Sequence, residues 1–173
     1  MNTLCKVTLI CAGSAFGLFA ASSLSSSDQI FAKKAAQGGM AEVQLGRLAT
    51  NKASSQKVKD FGQKMVDDHS KANEQLKSIA SRQNIHLPSA LSGKDQTLYN
   101  RLSTLSGAEF DKAYMGAMVK DHQTDISEFQ AEANSGRNSA LKNFAASTLP
   151  TLQQHLSLAK DAASSVGAMP MNE

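Results

Sequence analysis

Apolar residues return along this chain at alternating steps of three and four, the period of a helix with one buried face. No segment alternates with the period of two that a half-buried strand requires. The clearest stripe is Val58, Phe61, Met65, His69, Ala72, Leu76 and Ile79, within "SSQKVKDFGQKMVDDHSKANEQLKSIASRQN". Ser54 or Ser55 is placed to cap its start, and the stretch from Asn84 to Ser92, with Pro88 inside it, breaks it. An earlier helix is predicted over residues 28–51, with Phe31, Ala35, Gly38, Glu42, Leu45 and Ala49 on one face. That face is built of small residues, and Gly38, Gly39 and Gly46 would each cost roughly 1 kcal/mol inside a helix. Either a neighbouring helix approaches closely enough to compensate, or the segment frays or bends.

Two more long helices follow. Ser106-Gly107-Ala108-Glu109 has the form of a capping box and opens a helix whose stripe is Phe110, Tyr114, Met118, His122, Ile126 and Phe129. Asn134-Ser135-Gly136 reads as its end. The last helix spans about residues 138–163, with Leu141, Phe144, Thr148, Leu152, His155, Ala159 and Ala162 inward. Pro150 lies within it and predicts a kink or a lost hydrogen bond. A short helix, "GKDQTLYNRLSTLS" over residues 93–106, carries Leu98, Leu102 and Leu105 on one side. The expected architecture is therefore all-α: a four-helix bundle with a short extra helix in the long connector between the second and third long helices. That connector is long enough to cross the bundle, which makes those two helices parallel.

The first 25 residues stand apart from this pattern. Lys6 precedes an uncharged, largely apolar run from Val7 and then small residues, the layout of a secretory signal peptide, with an uncleaved anchor through residues 7–24 as the alternative. Both cysteines, Cys5 and Cys11, fall in this segment, so the rest of the chain has neither disulfide nor thiolate ligand. An exported chain without cysteines fits a bacterial periplasm or envelope, where a stray thiol risks oxidation. The formal charge of the whole chain is +3, with Lys and Asp/Glu interleaved, and no basic stripe of the kind nucleic acid requires. Residues 164–173 read as a loose tail, and the sequence fixes no oligomeric state.

The composition becomes specific at the histidines. "KMVDDHSK" at residues 64–71 returns as "AMVKDHQT" at 117–124, ending on His69 and His122. Of the four histidines, His69, His122 and His155 lie on inward stripes, while His86 lies in the loop before Pro88. The first helix offers Glu42 instead, so each long helix presents one candidate ligand to the axis, as metal sites in bundle cores do. Imidazole and carboxylate suit zinc, iron, copper or manganese. Counting along the helices puts His69 and His122 at one height, with Glu42 and His155 roughly 7 Å above them at ~1.5 Å per residue. Asp68 and Asp121 then serve as further ligands or as acceptors that orient the histidines. Because an Asp just before a helical His points about 100° away from it, each suits a neighbouring helix better than its own ring. The competing expectation is a structural layer in which interhelical His–Asp hydrogen bonds satisfy buried polar groups.

Signatures of catalysis are absent: there is no G-x-S-x-G, phosphate loop, zincin H-E-x-x-H or paired E-x-x-H element. Val66, Val119 and Leu152 stand three positions before the inward histidines, where a ferritin-type di-iron oxidase has its glutamates.

The segments "KAAQGGMAEVQLGRLA", "VKDFGQKMVDDHSKANEQL", "FDKAYMGAMVKDHQTDISEF" and "FAASTLPTLQQHLSLA" resemble the bacterial domain-of-unknown-function family 4142. The resemblance covers roughly residues 28–163. It implies a ferritin-like helical bundle and export, in a family often labelled outer-membrane or membrane proteins, and it implies no established activity. The candidate set Glu42, Asp68, His69, Asp121, His122 and His155 comes from spacing alone.

Overall fold

The computed structural model describes residues 24–168, so the expected signal segment lies almost wholly outside the described residues, as do the last five residues of the expected tail. Within them the chain forms five α-helices and no strand: α1 (Ser26–Lys52), α2 (Gln56–Gln83), α3 (Gly93–Ser103), α4 (Gly107–Ser135) and α5 (Ser139–Ser165). None of these helices is long and apolar enough to cross a membrane.

Helix ends follow local chemistry, not always at the expected places. Ser25 opens α1 through a capping box with Asp28, whose carboxylate accepts the Ser25 amide. Asn84 closes α2 in the left-handed conformation at φ 54°, and Asn138 caps α5 by accepting from the amides of Ala140 and Leu141. The box expected at Ser106 and Glu109 does not form. Gly107 takes φ +61°, a conformation glycine adopts without a Cβ penalty, and the Ser106 side chain makes no cap hydrogen bond. α5 continues through Pro150, and the Thr148 hydroxyl donates to the Phe144 carbonyl in the same stretch.

The four long helices pack as a bundle: α1 lies against α2 and α4, and α5 against α4 and α2. Two buried aspartates fix which ends meet. Asp111, in the second turn of α4, accepts the amides of Ser54 and Ser55 and the Ser54 hydroxyl, holding the α1–α2 turn. Asp28, at the start of α1, accepts the amides of Arg137 and Asn138 and so holds the α4–α5 turn. Asn138 also donates to Gln83 at the end of α2. The start of α4 therefore lies with the start of α2, and the start of α5 with the start of α1 and the end of α2. α2 and α4 run parallel, as the long connector requires, and each antiparallel hairpin is anchored by an aspartate of the other.

The core divides along the axis. One cluster, around Leu45, Phe61, Met65, Tyr114 and Met118, also receives Leu98, Tyr99 and Leu102 from α3. The other, around Phe31, Leu76, Phe129, Phe144 and Leu152, stacks Phe31 edge-on to Phe129 with centroids 5.0 Å apart. The histidines sit between the two. The small residues of α1 earn their place where it crosses α2. A Cβ on Gly46 would lie 2.5 Å from the Gly62 carbonyl oxygen, and one on Gly62 would lie 2.6 Å from Ala49 Cβ. Close approach, not fraying, compensates Gly46 and Gly62, whereas Gly38 meets nothing nearer than 3.9 Å.

Candidate metal centre

Between the two apolar clusters, α1, α2, α4 and α5 each turn one polar side chain inward: Glu42, His69, His122 and His155, all at most 6% exposed. They meet in one layer. His69 Nδ1 stands 2.7 Å from Glu42 Oε2, and His122 Nε2 stands 3.2 Å from Glu42 Oε1. The ring centroids of the three histidines are 5.3 to 6.0 Å apart. The expected gap of about 7 Å between two ligand levels is thus closed. The count along the helices located Cα atoms, whereas every helical side chain leans toward its own N-terminus. Glu42 leans away from the α1–α2 turn and His69 leans toward it, so antiparallel helices bring the two side chains together.

Each ring is held differently. His122 Nδ1 lies 2.9 Å from the Met118 carbonyl oxygen, which can only accept, so the proton is on Nδ1 and the Nε2 lone pair faces Glu42. His155 Nε2 lies 2.9 Å from Asp68 Oδ2, and Lys64 pairs with the same carboxylate. The aspartate accepts the Nε2 proton and leaves Nδ1 as the lone pair. His69 approaches Glu42 closely but off the line of a hydrogen bond. As a result His69 Nε2, His122 Nε2, His155 Nδ1 and both Glu42 oxygens are buried without a hydrogen-bonding partner in the protein. One ligand-capable nitrogen from each of the three histidines lies within 4.8 Å of the other two.

The electrostatics follow from burial. Loss of water pushes His69 and His155 down to about 4 and His122 below its ordinary value, so all three rings are neutral at physiological pH and keep a lone pair for a ligand. Burial pushes Glu42 up to about 7, opposed by His122. Burial also works to raise Asp68, but the hydrogen bonds from His155 and Lys64 outweigh it and hold that carboxyl below its usual range.

The sequence-derived candidates therefore separate by position. Glu42, His69, His122 and His155 converge, and Asp68 sits behind His155. As its angle on the helix requires, Asp68 serves a ring on α5 and not the adjacent His69. Asp121 stands with Glu42 and Asp125, one carboxylate oxygen of each lying within 4.8 Å of the others. Asp125 was not among the candidates. Its signal is a repeated spacing: Glu42 follows Asp28 by 14 positions, and Asp125 follows Asp111 by the same 14. The two starting aspartates anchor opposite hairpins, so the residues after them reach mid-bundle together.

A groove of about 250 Å³ between α2 and α5 leads in from the surface, lined by Asp68, Gln75, Ser147 and Thr151 with His69 and His155 among its walls. The centre thus has a polar route to solvent on one side and packed apolar residues above and below it.

The chain matches the family model described as "Domain of unknown function (DUF4142)" over residues 15–162. No curated protein matches it. Two similar solved structures are DUF305 proteins. One, from Streptomyces coelicolor and described as a predicted secreted protein, has a TM-score of 0.71 at 13% identity and covers 86% of this chain and 98% of its own. The other, a fragment from Deinococcus radiodurans, has a TM-score of 0.72 at 11% identity and covers 82% and 98%. At these identities the likeness is one of helical fold.

Proposed function

The chain belongs to the DUF4142 family, and on that footing we propose that it is an exported helical bundle that binds a first-row transition metal ion through His69, His122 and His155, with Glu42 beside them. The observation that carries this reading is that one ring nitrogen from each of three buried histidines lies within 4.8 Å of the other two, while each ring keeps a buried nitrogen with no hydrogen-bond partner. Leaving a buried polar group unsatisfied costs about 1–3 kcal/mol, and a cation would relieve several such groups at once. Neutral imidazoles with a carboxylate suit zinc, iron, copper or manganese. Zinc–nitrogen bonds of about 2.0–2.1 Å place tetrahedral donors about 3.3 Å apart. From donors within 4.8 Å of one another, the closure needed is at most roughly 1.5 Å. With three histidines and no thiolate, the arrangement suits holding or buffering an ion in the cell envelope.

Support for the finer fold reading comes from the bundle ends: two antiparallel hairpins joined by a long crossover, with α2 and α4 parallel, is the ferritin-like order. Export rests on the leader-like residues 1–25 and on the secreted description of the Streptomyces coelicolor relative. Periplasm or outer envelope is the compartment proposed.

The second reading, a purely structural His–Asp layer, is favoured by the His155–Asp68 hydrogen bond. It accounts for that pair and leaves the other lone pairs unexplained. The deciding experiment is elemental analysis of untagged full chain purified from its native envelope, with thermal melts in chelator and in added metal. Metal binding predicts about one ion or more per chain, a stabilising shift on loading, and loss of both in His122→Ala. Metal-free protein whose melting point ignores every added ion would establish the structural layer instead.

A further inference from the structure

Beside the histidines lies a second group of donors of different chemistry. We infer that Glu42, Asp121 and Asp125 form an oxygen-only cation site adjoining the histidine site, with Glu42 shared between the two. The inference rests on the metal-binding reading above and extends it from one ion to two.

Three observations converge on this place. One oxygen from each carboxylate lies within 4.8 Å of the others, bringing three acids together from two helices. Glu42 is 1% exposed, and neither of its oxygens has an aligned hydrogen-bond donor, although each has a histidine nitrogen near it. A carboxylate has more acceptor positions than one ion on its histidine side would use. Finally, a small cavity of about 20 Å³ touches Glu42, Asp125 and His69, with Asn73 and Thr148 also on its wall. A single water-sized species needs about 10–15 Å³ on this measure, so the void admits one small ion or one water and no organic ligand.

The surrounding residues leave room for this. A Cβ on Gly38 would stand 3.9 Å from Asp125 Oδ1, so the small face of α1 receives the aspartate of α4 without a side chain between them. Three carboxylates this close repel one another when ionised, and a divalent ion among them would offset that repulsion. Oxygen donors select harder ions than imidazoles do, so the second site suits manganese or magnesium where the first suits zinc or copper. Two divalent ions would set four positive charges against three carboxylates, so those carboxylates offset most of the charge.

The test uses the full chain, freed of metal and dialysed against zinc and manganese ions together, with both metals counted per chain. Expected are two ions in the native sequence, and one in Asp125→Asn, with zinc retained and manganese lost. Manganese bound to the native chain should also give an oxygen-ligated electron paramagnetic resonance signal that Asp125→Asn abolishes. A native chain that holds one ion, lost on His122→Ala, overturns the second site and leaves the first standing. A native chain that holds none overturns both. Two ions persisting in Asp125→Asn place the second elsewhere and also overturn the inference, and because the native count stands alone, misfolding of the variant cannot rescue it.

Discussion

His155 on α5 and Asp68 on α2 are joined at 2.9 Å across the mouth of the groove, and this bond decides which nitrogen of the ring faces the interior. With its Nε2 proton committed to the carboxylate, His155 offers Nδ1 to the cluster. Lys64, 2.9 Å from the same oxygen, keeps the carboxylate ionised. Asp68 thus serves the site without being one of its inner donors, the role that outer carboxylates play for metal-ligating histidines.

Replacing Asp68 should therefore weaken binding without dismantling the bundle. Asp68→Ala is expected to lower transition-metal affinity by about 10–100-fold, measured by competition with a chromophoric chelator, while the far-UV circular dichroism keeps its helical form. The change also leaves the buried His155 Nε2 without its acceptor, so a stability loss of about 1–3 kcal/mol accompanies it. Affinity within twofold of the native chain would remove Asp68 from the site.

A separate pair of acids makes the fold sensitive to pH. Glu132 on α4 is buried beside Asp28, and burial together with that neighbour pushes its carboxyl up to about 7 from an ordinary 4.5. Between those values the folded chain keeps a proton that the unfolded chain has lost, so this contribution is complete below about 4.5 and disappears as pH rises through 7. Glu132→Gln keeps a donor toward Asp28 and cannot ionise. Its melting temperature should exceed that of the native chain at pH 8, with the difference shrinking toward pH 4.5. Two melting curves that stay parallel across this range would show that Glu132 is not the titrating group.

The glycines of α1 give a third expectation, with opposite signs at two positions. Gly→Ala in a helix interior gains roughly 1 kcal/mol from propensity. At Gly38 the added Cβ would meet nothing nearer than 3.9 Å, and that gain should appear in denaturant unfolding. At Gly46 it would meet the Gly62 backbone oxygen at 2.5 Å, so α1 and α2 must separate, with a net loss of about 1–3 kcal/mol. Equal effects at the two positions would mean that the contact between α1 and α2 is looser than described.

Much of this was legible in the residues. The stripes through Phe61, Met65 and His69, or Tyr114, Met118 and His122, locate the helices because a period of three and four has one structural meaning. The connector length gave the parallel pair. Heights were less legible, because residue counting follows Cα atoms while Glu42 and His69 meet through the lean of their side chains. The start of α4 was misread at its cap, since a left-handed Gly107 does not show in an S-x-x-E pattern. Asp125 stands three residues after His122 and four before Phe129, on the same inward face, but a stripe traced through apolar residues and histidines steps to Ile126 instead. The matching interval after two anchoring aspartates marks it a second time, though their roles depend on long-range contacts.

The interlocked backbones at Gly46 and Gly62 bear on how an ion would be chosen. Glu42 lies one turn from Gly46, and His69 two turns from Gly62, so the two residues share the close α1–α2 contact. Shifting one helix past the other to suit a guest of another radius would disturb it. One jaw of the vice is machined in advance. Discrimination among ions then falls to the α4 and α5 side, where the polar groove approaches His155.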